Sequence, residues 1–231
     1  MSDDVIPAAT LILLRDTVGA RPELLMLERG AHLSFVGGAM VFPGGKVDDD
    51  DALAAADSDI LIAGPMLDPL DAAARVAAIR ETIEEVGLAP AVEGIVETAI
   101  IAVIRRRLAD HESFREIARD LSLRLDLHKL HPFSRWMPPL NLERIFDTRF
   151  YVARAPDHDD AIVDGDESRS CRWDTASGHL ALAEQGARNI IVPHNAIWNG
   201  SARSTASTMP SPWRTAIQSK SFRPGSRSAT R

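Results

Sequence analysis

The chain has a single cysteine, Cys171, in 231 residues, so no internal disulfide can form and a reducing compartment fits. Cys171 itself reads as a packing residue. Long apolar runs are also missing. The longest, residues 99–104, falls far short of the roughly 20 residues that a bilayer helix needs. The start, Met1-Ser2-Asp3-Asp4, is acidic and lacks the basic-then-apolar layout of a signal peptide. Positive charge is in deficit, with a net charge of −7, which argues against nucleic acid as the main partner. The seven histidines show no H-E-x-x-H spacing, so a zinc hydrolase is unsupported. These absences leave the expectation of a cytoplasmic protein with no membrane or nucleic-acid partner.

What remains is an ordinary globular composition, 45% hydrophobic and 26% charged. It suits one sizeable domain with an insertion. The basic charge that does exist is concentrated at the end. Residues 201–231 hold five Arg and one Lys with no acid, rich in Ser, Thr and Pro and without apolar periodicity. Residues 200–231 therefore read as a disordered basic tail, with an arm touching an anionic partner as the functional alternative and a C-terminal sequence that departs from its ancestral frame as a third reading. The domain is expected over 1–199.

The most informative stretch is Arg80-Glu81-Thr82-Ile83-Glu84-Glu85-Val86-Gly87-Leu88. At about 100° per residue, Val76, Ile79, Ile83 and Val86 form an apolar stripe facing a core. Glu81, Glu84 and Glu85 gather on the other side at i, i+3 and i+4, where like charges repel. Arg80 can reach Glu84 one turn on, but it does not balance three acids. A solvated acidic face is the plain reading; a bound divalent cation is the chemical one, because hard cations take oxygen ligands. Gly87 offers a helix stop, and Asp68 as N-cap, Pro69 at N1 and Asp71 at N3 offer a start.

Around this helix, residues 8–14 and 23–27 read as two strands joined by a turn, and residues 39–42 as a short strand entering the Pro43-Gly44-Gly45 bend. Asp48-Asp49-Asp50-Asp51 opens an insert over 48–67 and reads as a solvated acidic loop in preference to a second metal site. Residues 97–109 and 112–124 are helical patterns within an added element over about 97–131. Residues 146–153 form a core strand, 157–167 an acidic loop, a short strand lies at Trp173, residues 177–185 form a helix, and 190–193 end the ordered chain.

Arg80 to Leu88 matches R-E-U-x-E-E-x-G-U (U a bulky apolar residue) at every polar position, with only Thr82 departing where an aliphatic is usual. Preceded by Phe42-Pro43-Gly44-Gly45-Lys46, it resembles the Nudix hydrolase signature. The resemblance implies an α+β fold, an α/β/α sandwich with a mixed sheet, a Nudix loop-helix and an added helical insertion. It implies Mg²⁺ or Mn²⁺ held by Glu81 and Glu85, with Glu84 sharing or supporting the site and a Gly44 or Gly45 carbonyl completing it, and Arg80 orienting a glutamate. The general base stays open between a glutamate of this helix and Glu167. In the family's pattern the loop glycine and the arginine lie fourteen positions apart; here Gly45 and Arg80 are thirty-five apart. Counting back from Arg80 puts Ala72 where the signature has a further glutamate, with Asp71 beside it.

Residues Leu25-Met26-Leu27-Glu28-Arg29, Gly38 and Phe42-Pro43-Gly44-Gly45 are similar in spacing to the coenzyme A motif of coenzyme A diphosphatases. Ser34 departs from it by standing where that motif has an arginine. The insert and the Phe146-Asp147-Thr148-Arg149-Phe150 strand resemble the peroxisomal-type branch of those enzymes. The implied activity is hydrolysis of a small-molecule diphosphate, coenzyme A or acyl-coenzyme A first and sugar nucleotides or dinucleotides second, with Arg29 and Arg149 meeting substrate. The alternative is a non-catalytic Nudix ligand-binding sensor. A homodimer would match related enzymes.

Overall fold

The computed structural model describes residues 5–18, 21–30, 38–94, 96–137, 145–157, 161–163, 165, 168–185 and 189–190. Ser34, Glu167 and the basic tail lie outside these residues. The strands are β1 (Val5–Arg15), β2 (Glu23–Arg29), β3 (Ala39–Val41), β4 (Gly44–Lys46), β5 (His131–Trp136), β6 (Ile145–Arg154), β7 (Ser168–Asp174) and β8 (Asn189–Ile190). They form one mixed sheet in the order β5-β6-β1-β2-β3-β8, with β4 on β1 and β7 on β2. β1 runs parallel to β6 and β3 parallel to β8, and the other pairings are antiparallel.

Alternation along the central strands sorts side chains to the two faces. Leu11, Leu13, Leu25, Leu27 and Tyr151 look one way and are buried with the apolar stripe of a long helix, α2 (Pro69–Val86). Ile12, Leu14, Leu24, Met26 and Phe150 look the other way, toward α5 (Ala176–Glu184). The α+β expectation holds, with a mixed sheet between helices.

α2 begins and ends where local chemistry dictates. The Asp68 carboxylate accepts the N–H groups of Leu70 and Asp71, each at 3.1 Å, and Pro69 fills N1. Gly87 closes the helix at φ +67°, a left-handed conformation that favours glycine. Val76, Ile79, Ile83 and Val86 are fully buried, each contributing about 1.5–3 kcal/mol by leaving water. Thr82 is buried as well, and its hydroxyl donates to the Ala78 carbonyl at 2.6 Å. That bond satisfies a polar group placed where an aliphatic is usual.

The acidic insert departs from the expected solvated loop. Residues Asp49–Ala55 form a helix, α1, opened by a reciprocal capping box between Asp48 and Asp51. Ala54 and Asp51 are buried and Ile60 joins the core. The stretch over about 97–131 holds α3 (Thr98–Ala109), α4 (Phe114–Asp120), shorter than the pattern over 112–124, and a 3-10 turn (Leu127–Lys129), and chain pairing adds β5 from His131 onward. α1 packs against both α2 and α4.

Candidate functional site

The glycine-rich bend is itself a short strand. β4 pairs with β1 in the register Ala9↔Gly45 and Thr10↔Gly44. A side chain at Gly44 would collide with the Ala9 carbonyl oxygen and lie 2.7 Å from the Thr10 Cα. A side chain at Gly45 would run into the Glu81 carboxylate, with its carboxyl carbon at 2.5 Å and Oε2 at 2.7 Å. Gly44 is needed for the close approach to the β1 backbone, while Gly45 leaves room for an acid of α2 whose carboxylate would otherwise have to shift. Gly44 N–H donates to Glu85 Oε2 at 2.9 Å. Thus Glu81 and Glu85, one helical turn apart, both lie against the same loop.

Arg80 organises the acids. Its Nη1 donates to Glu81 Oε1 at 2.9 Å and stands 3.5 Å from Glu84 Oε2. On its other side, Nε and Nη2 each donate at 2.9 Å to the two oxygens of Asp51, and Nη2 also meets the Lys46 carbonyl at 3.0 Å. Asp48 completes the ring at 3.5 Å. Arg80 and Asp51 are both buried, so this is a desolvated two-point ion pair. Burial pushes the Asp51 carboxyl up, and the Arg80 guanidinium pulls it back. Burial also pushes Glu81 up to about 7, against the pull of Arg80 and with a further push from Glu84.

Asp51 is the acid beside Arg80 that counting back from Arg80 misses. It stands six positions after Gly45, and subtracting the two family spacings gives the same offset from the glycine side. The insert thus follows the acid and does not displace it. Asp71 has another job. Its carboxylate takes Arg75 Nε at 2.8 Å, the Tyr151 hydroxyl at 2.8 Å and Arg149 Nη1 at 3.3 Å. Arg75 in turn donates to the Leu127 and Leu130 carbonyls at 2.8 and 2.7 Å, tying the start of α2 to the 3-10 turn.

Arg149 shares the row of Ala9 and Gly45 across β6-β1-β4, but Asp71 holds its guanidinium at the opposite end of α2 from Glu81. Arg29 ends β2 beside Ser168 of β7, and its buried Nε has no partner among the described residues. His128 and His131, three positions apart, have different surroundings: the ring of the first lies against Gly64, and the second stands where burial and the Arg75 charge lower its basicity.

Among the described residues no three His, Cys, Asp or Glu side chains are closed around a common point suited to an ion. Glu81 is turned to Arg80 instead. The donor chemistry nevertheless suits a hard divalent cation. Glu81, Glu84 and Glu85 offer carboxylate oxygens, and the bare Cα of Gly45 brings the loop against one of them. Glu81 in particular is desolvated enough to be only partly ionised near neutral pH, which a cation would reverse.

Comparison with known proteins identifies the family. Residues 62–196, more than half of the chain, match the family model described as the NUDT19 Nudix domain. The chain belongs to the Nudix hydrolase family. The crystal structure of a Nudix hydrolase from Alicyclobacillus acidocaldarius superposes with a TM-score of 0.72 at 26% identity, covering 84% of this chain and 89% of that one. The Nudix hydrolase NudL of Citrobacter koseri is 35% identical over 122 residues, 50% of this chain and 58% of that protein. The putative nudix hydrolase 7 of Caenorhabditis elegans is 30% identical over 150 residues, 65% of this chain and 44% of that protein. The chain spans about half the length of these curated relatives. The family match begins at residue 62, so β4 and α1 precede it. Contact joins them to the Nudix helix: Gly44 to Glu85, Gly45 to Glu81, Asp51 to Arg80.

Proposed function

We propose that the protein hydrolyses a diphosphate linkage in a nucleoside-diphosphate-type metabolite, with coenzyme A or an acyl-coenzyme A as the favoured substrate. The observation that carries this reading is the convergence of Glu81 and Glu85 on the Gly44-Gly45 loop, with Arg80 shared between Glu81 and Glu84. Glu81, Glu85 and Glu84, with Gly45 beside them, would hold Mg²⁺ or Mn²⁺. A bound divalent cation clamps phosphate oxygens and lowers the pKa of a water. The chain's own contribution is to fix the acids before substrate arrives. Gly44 N–H fixes Glu85, while Asp51 fixes Arg80 and through it Glu81. The general base stays open between a glutamate of α2 and Glu167.

Support for coenzyme A comes from the match to the NUDT19 Nudix domain and from the spacing of residues 25–45. Arg29, with its buried Nε free of partners among the described residues, is the better phosphate-binding candidate of the two arginines. Arg149 would have to leave Asp71 first. The proposed setting is the cytoplasm, and a homodimer is the assembly that related enzymes suggest. The test is a panel of coenzyme A, acyl-coenzyme A, ADP-ribose, diadenosine polyphosphate and sugar nucleotides with Mg²⁺ or Mn²⁺. Cleavage of coenzyme A at its diphosphate above all others is expected. Binding of a panel member without turnover of any would replace the enzyme by a ligand sensor.

A further inference from the structure

The acids of α1 and of the turn after it do not all serve Arg80. Asp57, two residues beyond α1, is buried and takes Arg115 Nε at 2.6 Å and Arg119 Nε at 2.7 Å, with Arg119 Nη2 reaching its second oxygen at 3.1 Å. These arginines, Arg115 first, hold the Asp57 carboxyl down to about 2. Asp50 takes the Ser113 hydroxyl at 2.6 Å and the Arg115 backbone N–H at 3.2 Å. Asp51, on the buried side of the same short helix, takes Arg80. α1 is therefore gripped on one side by α4 and grips the Nudix arginine on the other.

We propose that Arg115 and Arg119 are positioning residues for Arg80: by holding Asp57 they fix α1, and so hold Asp51 in its two-point grip on the guanidinium. The physical reason is geometric. Asp51 engages Nε and Nη2, leaving Nη1 as the edge that meets Glu81 and Glu84. A planar guanidinium held at two nitrogens has its third direction fixed. If α1 shifts, Arg80 rotates and the acids lose their register with the Gly44-Gly45 loop. The added helices are then part of the site's scaffold, although none of their side chains reaches Arg80 among the contacts described. The catalytic half of this inference rests on the hydrolase reading above; the structural half does not.

The test compares full-length Arg115→Ala/Arg119→Ala with Arg115→Lys/Arg119→Lys and with Arg107→Ala. Arg107 pairs with Glu112 and Asp120 inside the added element and serves as the control for general loosening. The first readout is hydrogen exchange of the Arg80 Nε–H in protein labelled with ¹⁵N-arginine, assigned by its loss in Arg80→Lys. In the alanine pair exchange should quicken about tenfold or more, with partial recovery in the lysine pair and no change in Arg107→Ala. The second is turnover: kcat should fall about tenfold in the alanine pair while KM stays within about threefold. Unchanged exchange, or an equal effect in Arg107→Ala, overturns the proposal. Quickened exchange with unaltered kcat overturns the positioning role. A wild type that cleaves nothing, with exchange still quickened, sinks the hydrolase reading and leaves the support of α1 standing.

Discussion

Replacing Asp51 by Asn is the sharpest perturbation of the Arg80 pair. The side chain keeps its shape, but the charge is lost and one acceptor becomes an N–H donor aimed at a guanidinium. Arg80 is 8% exposed and cannot shed its proton to escape the penalty. Deleting one partner of a buried pair costs about 3–5 kcal/mol. Glu81, Glu84, Asp48 and the Lys46 carbonyl stay near Arg80, which favours the lower end, about 3 kcal/mol. The variant amide must also replace the carboxylate oxygen that accepts the Asp48 N–H and closes the α1 capping box. With a urea dependence of about 2–3 kcal/mol per molar, the unfolding midpoint should drop by about 1–1.5 M. A drop below about 0.3 M would show that Arg80 is satisfied without Asp51 and would refute the central ion pair.

Three further outcomes follow from the same contacts. The raised carboxyl of Glu81 stabilises the metal-free fold below the usual glutamate pKa of 4.5, and that stabilisation is lost as pH rises toward about 7. Thermal melts in EDTA should lose about 3 kcal/mol over this window, and Glu81→Gln should flatten the loss; equal slopes in both proteins would contradict the desolvation. Gly45→Ala drives a methyl group into the Glu81 carboxylate, which must shift, and should cut kcat by about tenfold or more at a stability cost of no more than about 1 kcal/mol, read by kinetics and urea unfolding together. Thr82→Val exchanges a hydroxyl that, among the described residues, bonds its own helix, and should change stability by less than about 1 kcal/mol, with a larger destabilisation pointing to a further role for the hydroxyl.

The parts of the fold legible in the sequence are those set by neighbours along the chain. Asp68, Pro69 and Gly87 mark the ends of α2 through bonds to residues within four positions. The stripe of Val76, Ile79, Ile83 and Val86 marks its buried face by period alone. What was hidden depends on distant partners. Four successive aspartates look solvated until Asp51 meets Arg80, twenty-nine positions away. Gly44 and Gly45 carry no strand preference, and the ladder with β1 imposes β4 on them. His131–Trp136 becomes a strand through pairing with β6. Asp71 reads as a first-turn helix acid and does sit there, but its carboxylate is spent on Arg75, Arg149 and Tyr151.

Glu85→Gln tests the central claim most directly. Its amide oxygen can still accept the Gly44 N–H, so the fold should melt normally without metal while the charge at the loop is gone. Turnover of coenzyme A would be measured across an Mn²⁺ titration for wild type and variant. The account predicts wild-type hydrolysis that requires the cation and a loss of at least about a hundredfold in the variant at every concentration. Full activity in the variant would contradict it.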